Sequence, residues 1–241
     1  MDMIKPKPAA RKKIVNNTGS EDFRVRVARE KRGRMRARLL EATLAVYEPN
    51  DRGRAAVIDD VVRCAGVSRG TFYKYFETLE EAVAELGQSL AEETLANYRD
   101  LFNDKVAPAT RAAGGPVLTL SRAAMEPRWG LFTASVDYIE QVSRQDSLYP
   151  IVATTLLDGK TAGVLRFDSI DAAADMAVGA TVAAIKRLAH GEQRNREYIL
   201  EITTLCMTGL GMTPGNATKA ANSAWALLGE KGKELPWWRQ I

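Results

Sequence analysis

The stretch from Asp60 to Phe76, DVVRCAGVSRGTFYKYF, limits what this chain can fold into more than any other. Val61, Val62 and Ala65 place apolar groups on adjoining faces of one helical segment. Gly66 ends it, because glycine takes the positive φ that a helix C-terminus often needs. Ser68 stands where a hydroxyl can cap a second helix, and Phe72 and Phe76 then fall four apart on its inner face. Arg69, Gly70, Thr71, Tyr73 and Lys74 are left facing outward, a set with many hydrogen-bond donors, a cation in each turn and no carboxylate. Two helices joined by a Gly-containing turn of three or four residues make the helix-turn-helix plan, whose second helix enters the DNA major groove. The outward residues suit that task. Hydroxyls donate to phosphate oxygens, and Arg or Lys donates to guanine O6 and N7.

The string AGVSRGTFYKYF, with DVV before it and LEEAV after it, resembles the DNA-binding signature of the tetracycline-repressor (TetR) family of bacterial regulators. The resemblance runs from about Arg34 to Val83; beyond it only length and all-helical character are similar. It implies an all-α chain: an N-terminal three-helix helix-turn-helix DNA-binding domain, then a C-terminal helical ligand-binding and dimerisation domain. It implies that Ser68, Thr71, Tyr73 and Tyr75 bind phosphates while Arg69, Gly70 and Lys74 face base edges. The implied partners are double-stranded DNA carrying a near-palindromic operator, a second copy of the chain, and a small-molecule effector whose identity the residues do not disclose. The sequence departs from the family pattern in places. The loop Glu48–Gly53 is about a residue longer, Arg54 replaces a common aromatic, Val57 replaces a common capping Thr, and no Lys stands near Leu79.

Charge is distributed as a DNA-binding chain requires. Residues 1–38 hold 13 Lys or Arg against four Asp or Glu, a net +9, so the remainder carries −5 of the overall +4. Such asymmetry marks one end as facing nucleic acid. Residues 1–33 read as a flexible basic arm able to follow the backbone or enter a minor groove, with helix starting between Phe23 and Met35. Arg34 and Arg36 join the DNA-contacting set. With 46% hydrophobic and 27% charged residues the chain is globular, and no apolar run approaches the ~20 residues that cross a bilayer. The basic N-terminus is not followed by an apolar segment of the secretory kind, so the expected place is the cytoplasm, with no membrane partner.

Leu39, Leu40, Thr43, Leu44, Val46 and Tyr47 form a first amphipathic helix that packs across the hairpin. Thr78 caps the helix opening at Leu79, and Glu81 completes a capping box. Domains are therefore expected at 34–83 for DNA binding and 84–228 for the helical body, with a tail at 229–241. Within the body, Ala112–Pro116 reads as a loop, followed by helices from Pro116 to Met125, Trp129 to Arg144, Tyr149 to Leu157, Ile170 to Leu188 and Glu197 to Leu210. Phe102, Met125, Trp129, Phe132, Tyr138 and Tyr149 are candidates to line an apolar ligand pocket. The resemblance places the dimer interface on the last two large helices, and the Ala-rich one suits close approach, so Ala173, Ala177, Ala180, Ala184, Ile199, Ile202 and Cys206 are its candidates. The paired Trp237 and Trp238 must dock on the body or on a twin subunit, since exposed indoles make a sticky patch.

Competing chemistries find little support. Cys64 and Cys206 are far apart, with no second Cys or His at ligand spacing, so neither a disulfide nor a metal site is expected; Cys64 reads as a small buried hydrophobe. His190, the only histidine, sits in Leu-Ala-His-Gly as a helix C-cap. No convergent acids and bases or Gly-rich phosphate loop appear, so no catalytic residue and no cofactor is named, and the reading is not an enzyme. The alternatives are a helical adaptor binding RNA or acidic protein through the basic arm and, furthest off, a small-molecule enzyme.

Overall fold

Ten helices and one short 3₁₀ turn, with no strand, make up the residues that the computed structural model describes, which are 18–47, 56–135, 148–192 and 195–239. The chain divides into two compact units, Met1–Arg38 and Leu39–Ile241. Helix α1 spans Thr18–Ala45, beginning well before the expected start. The part read as arm from Thr18 onward is thus helical, while residues 1–17 lie outside the described residues. Pro is absent from this stretch and it carries helix-supporting charge spacing, including Glu30 and Arg34 at i and i+4, 4.0 Å apart. From Val25 to Arg34 every side chain is exposed, so this segment's helicity does not depend on an apolar stripe.

In the second unit, helix boundaries follow local capping chemistry. Helix α2, Ile58–Ala65, ends at Gly66 with φ 61° and ψ 41°. The Gly66 N–H donates to Arg63 O and the Val67 N–H to Val62 O, which satisfies two orphan carbonyls in a Schellman arrangement. Helix α3, Arg69–Phe72, starts where the Ser68 hydroxyl accepts from the Thr71 N–H at 3.1 Å. Val57, before α2, offers no side-chain cap, as its substitution for Thr leads one to expect. Helix α4, Leu79–Leu101, is capped by Thr78, while Glu81 accepts from the N–H of Glu77 rather than that of the cap residue itself.

The body continues as α5 (Pro108–Met125), α6 (Pro127–Ser135), α7 (Tyr149–Thr161), α8 (Ile170–Ala189), α9 (Arg196–Gly209) and α10 (Pro214–Lys231), with the 3₁₀ turn at Gly232–Glu234. The expected loop at Ala112–Pro116 is not a loop; it lies inside α5. Gly114 is there for close approach. A Cβ built on it would stand 2.5 Å from the Phe102 ring, so its missing side chain lets α5 settle on the end of α4.

Three apolar clusters hold the second unit. Leu39, Val61, Val62, Phe72 and Phe76 form the one beneath the helix-turn-helix. Leu86, Leu120, Trp129, Phe132, Leu188 and Ile199 form the next, and Phe102, Leu118, Leu165, Met207 and Trp237 belong to the third. Arg122 is a buried cation among them, paired with Glu93 at 2.9 Å and Glu126 at 3.0 Å, its guanidinium 4.9 Å from the Trp129 ring centre and 5.7 Å from that of Trp237. That arrangement docks the tail on its own body: Trp237 is buried, and Trp238 meets Trp225 edge-on at 6.0 Å. Among the described residues no helix is long and apolar enough to cross a membrane.

Candidate nucleic-acid interface and interior cavity

Because α3 has only four residues, its outward groups depend on the stripe beneath them. Phe72 and Phe76 are fully buried with ring centroids 5.6 Å apart, and Tyr73 sets its ring edge against Phe72 at 5.8 Å while staying half exposed. Ser68, Arg69, Gly70, Tyr73 and Lys74 all stand at the surface; Thr71 is half-buried and its hydroxyl lies 3.0 Å from that of Ser68. Tyr75 is half-buried and packs against the apolar cluster. Arg34, exposed, and Arg36, half-buried, belong to the first unit.

One carboxylate reaches this surface that the helix's own sequence does not contain. Asp59, in the first turn of α2, takes a bidentate bond from Nε and Nη2 of Arg69. That bond holds the Asp59 carboxyl below the usual carboxylate range, with the Arg69 and Arg63 charges acting in the same sense. The guanidinium keeps its Nη1/Nη2 edge for another acceptor, and a bidentate donor to guanine O6 and N7 needs only one such edge. Asp59 therefore fixes the direction of Arg69 without exhausting it. Cys64, expected to be buried, is exposed instead: it lies off the Val61, Val62 and Ala65 stripe. Cys206 is the buried thiol, and burial pushes its pKa up.

Within the body a cavity of about 150 Å³ is lined by residues of α4, α5, α6, α7, α8 and α9. Two of the six candidate pocket residues, Trp129 and Tyr149, line it. Phe102 stacks on Tyr98 at 5.5 Å and borders a second cavity of about 330 Å³, which also meets Arg111, Asp104 and Asp158. Phe132 is core, edge-on to Tyr47 at 5.1 Å. Met125 is half-buried, and its sulfur accepts from the Arg239 N–H. Tyr138 lies outside the described residues. The lining that the sequence reading missed includes Thr94, Thr119, Thr133, Thr181, Val178 and Val182. The period-3.6 signal marks such positions as inward-facing, but cannot tell a filled core from a void.

Helix α8 has two working faces. Ala177, Val178, Thr181 and Ile185 look into the cavity, while Ala172, Met176, Gly179, Ala180 and Ala183 are exposed. Of the seven interface candidates, Ala173, Ala177, Ala184, Ile199 and Cys206 are buried within their own chain; Ile202 is half-buried and Ala180 exposed. On α9 the large outward apolar group is Leu205, 60% exposed. Met176 and Gly209 join the two helices' outer faces, since a Cβ on Gly209 would come 2.9 Å from the Met176 sulfur.

No family model matches the chain. The HTH-type transcriptional repressor KstR2 of Mycobacterium tuberculosis is 31% identical over 115 residues, covering 47% of this chain and 48% of the relative. The chain thus spans about half the length of the curated relatives it matches. Among solved structures, RolR in complex with resorcinol superposes with a TM-score of 0.61 at 22% identity, covering 80% of this chain and 95% of RolR. A TetR-family transcription regulator from Shewanella sp. PV-4 superposes with a TM-score of 0.60 at 18% identity, covering 73% of this chain and 97% of the other. At these identities the likeness is one of fold.

Proposed function

We propose that this chain, which has the two-part helical fold of the TetR-family regulators, is a sequence-specific, DNA-binding transcriptional regulator. In this reading it acts as a cytoplasmic homodimer on a near-palindromic operator and is released from it by a small molecule held in the body. Residues 34–83 are the reading head, 84–228 the effector-binding and dimerising body, and 229–241 a tail. The chain has no catalytic step in this scheme. The observation that carries the reading is the capped, Phe-anchored α3, which presents Ser68, Arg69, Tyr73 and Lys74 to solvent. The repressor name of KstR2 and the resorcinol complex of RolR support the two halves of it, DNA and effector.

Mechanistically, Tyr73 and the Ser68 and Thr71 hydroxyls grip phosphates while Arg69 and Lys74 read bases. One such helix specifies only a few base pairs, so two heads about 34–36 Å apart are required. Release needs a ligand that favours the DNA-free spacing, and about 1–3 kcal/mol of coupling suffices. Helix α8, walling the cavity with one face and exposed on the other, is the element through which an occupant reaches a twin subunit.

Selection of bound sequences from a random duplex pool, followed by sizing of the complex, tests the reading: a two-fold symmetric site occupied by one dimer is expected. On that site Lys74→Ala should lose about 1–3 kcal/mol of discrimination at its base pair. Tyr73→Phe should weaken all duplexes alike, because phosphate contacts carry no sequence information. Asp59→Ala should relax base preference at the Arg69 position more than it changes total affinity, since it frees the guanidinium to wander. If none of the three alters binding at moderate salt, α3 does not lie in the groove.

A further inference from the structure

Five threonines of the body share a habit that the buried Thr133 lacks. Thr94, Thr119, Thr181, Thr203 and Thr208 each donate the hydroxyl to the carbonyl four residues earlier, at 2.7–2.9 Å. Thr133, in α6, does not. Among the described residues its Oγ1 is buried without a partner, and so is Nε1 of Trp129, one turn before it. Both side chains are only 2% exposed, and both line the 150 Å³ cavity. Thr155, also on the wall, is already engaged with Tyr98 at 3.3 Å. Hence Trp129 and Thr133, four residues apart on one helix face, both line the cavity, and each carries an enclosed polar atom that lacks the hydrogen bond buried groups normally have.

The rest of the lining sets the chemistry of what could supply them. Among the described residues no Asp, Glu, Lys, Arg or His lines this cavity, so an ionised ligand would leave water without a counter-charge at the wall. The polar atoms are an indole N–H, which only donates, and a hydroxyl, which donates or accepts. A threonine in a helix has two χ1 wells, so turning the Oγ1 toward an occupant needs rotation about one bond. A void of about 150 Å³ is the size of an engineered apolar cavity that admits benzene.

Resting on the regulator reading above for its biological sense, we infer that this cavity takes a neutral, single-ring molecule bearing a hydroxyl or carbonyl oxygen, seated against Thr133 and Trp129. Phenol, toluene and benzoate are the probes, titrated into the full-length protein and its Thr133→Val variant by calorimetry. Phenol and toluene are expected to bind the parent and benzoate not to. In Thr133→Val the ratio of phenol to toluene dissociation constants should rise about two- to tenfold, the size of one net hydrogen bond, while toluene still binds. The unliganded variant should be no less stable than the parent, because it loses an unpartnered hydroxyl; a hydroxyl serving the fold would destabilise on removal. An unchanged ratio, or benzoate binding as well as phenol, overturns the inference. Duplex binding followed in the same titrations separates the two proposals. Selective ring binding that leaves the duplex held keeps this cavity assignment and sinks the effector reading; intact duplex binding with no ring bound does the reverse.

Discussion

Truncating Phe72 to alanine is expected to remove about 3–5 kcal/mol from the stability of the helix-turn-helix and with it all duplex binding. A four-residue helix has no independent stability, because nucleation costs more than so few hydrogen bonds return. What holds α3 is the Ser68 cap, worth about 1 kcal/mol, and the burial of Phe72 and Phe76 among Leu39, Val61 and Val62. Phe72 is fully buried and also supports the Tyr73 ring, so its loss opens a cavity directly under the outward face of α3. Amide hydrogen exchange checks this: protection should vanish across α2 and α3 while α5 and α8 keep theirs, since those helices belong to other clusters. Phe72→Leu, closer in volume, should lose far less and keep DNA binding. A Phe72→Ala protein that binds its duplex as the parent does would mean that α3 is held by something other than this stripe.

The features legible in the sequence are those set by one residue and its near neighbours. Gly66 announced a helix end because only its left-handed φ allows the two closing hydrogen bonds. Ser68 and Thr78 announced starts because their side-chain oxygens satisfy N–H groups three residues on. Where chemistry came from elsewhere in the chain, the reading went astray. Gly114, Gly115 and Pro116 look like a break, yet the space that Gly114 leaves for the Phe102 ring is worth more to the fold than local propensity. The Asp59–Arg69 pair spans ten residues and two helices, so inspecting α3 alone finds no carboxylate. Trp129 and Tyr149 reach the cavity while Phe102 and Phe132 do not, although all four are aromatic residues with the same helical periodicity; only packing in three dimensions decides which wall is left unfilled. The Ala-rich composition of α8 spoke for close approach on every side, and could not say which small residues face the chain's own core.

That last distinction governs the second large effect. Leu205→Glu is expected to convert the proposed dimer to monomer and lower duplex affinity by about 10²–10⁴-fold, the avidity lost when two tethered heads become independent. Leu205 is 60% exposed, beside the half-open face of Met176, Gly179, Ala180 and Ala183, so a charge there leaves each chain's core intact. Surface substitutions of this kind change folding stability by no more than about 0.5 kcal/mol, and the helical signal in circular dichroism should not move. Ile199→Glu, on the same helix, is the contrast. Ile199 is fully buried against Leu188 and Phe132, so a carboxylate there has neither water nor a partner and should unfold the chain before it affects association. Sedimentation of the two variants at equal concentration distinguishes the faces. A folded monomer from Leu205→Glu and an unfolded chain from Ile199→Glu put the twin subunit on the outer face of α8 and α9, opposite the side of α8 that walls the cavity. A Leu205→Glu protein that stays dimeric moves the interface to another surface, and then an occupant of the cavity has no path through α8 to the second head.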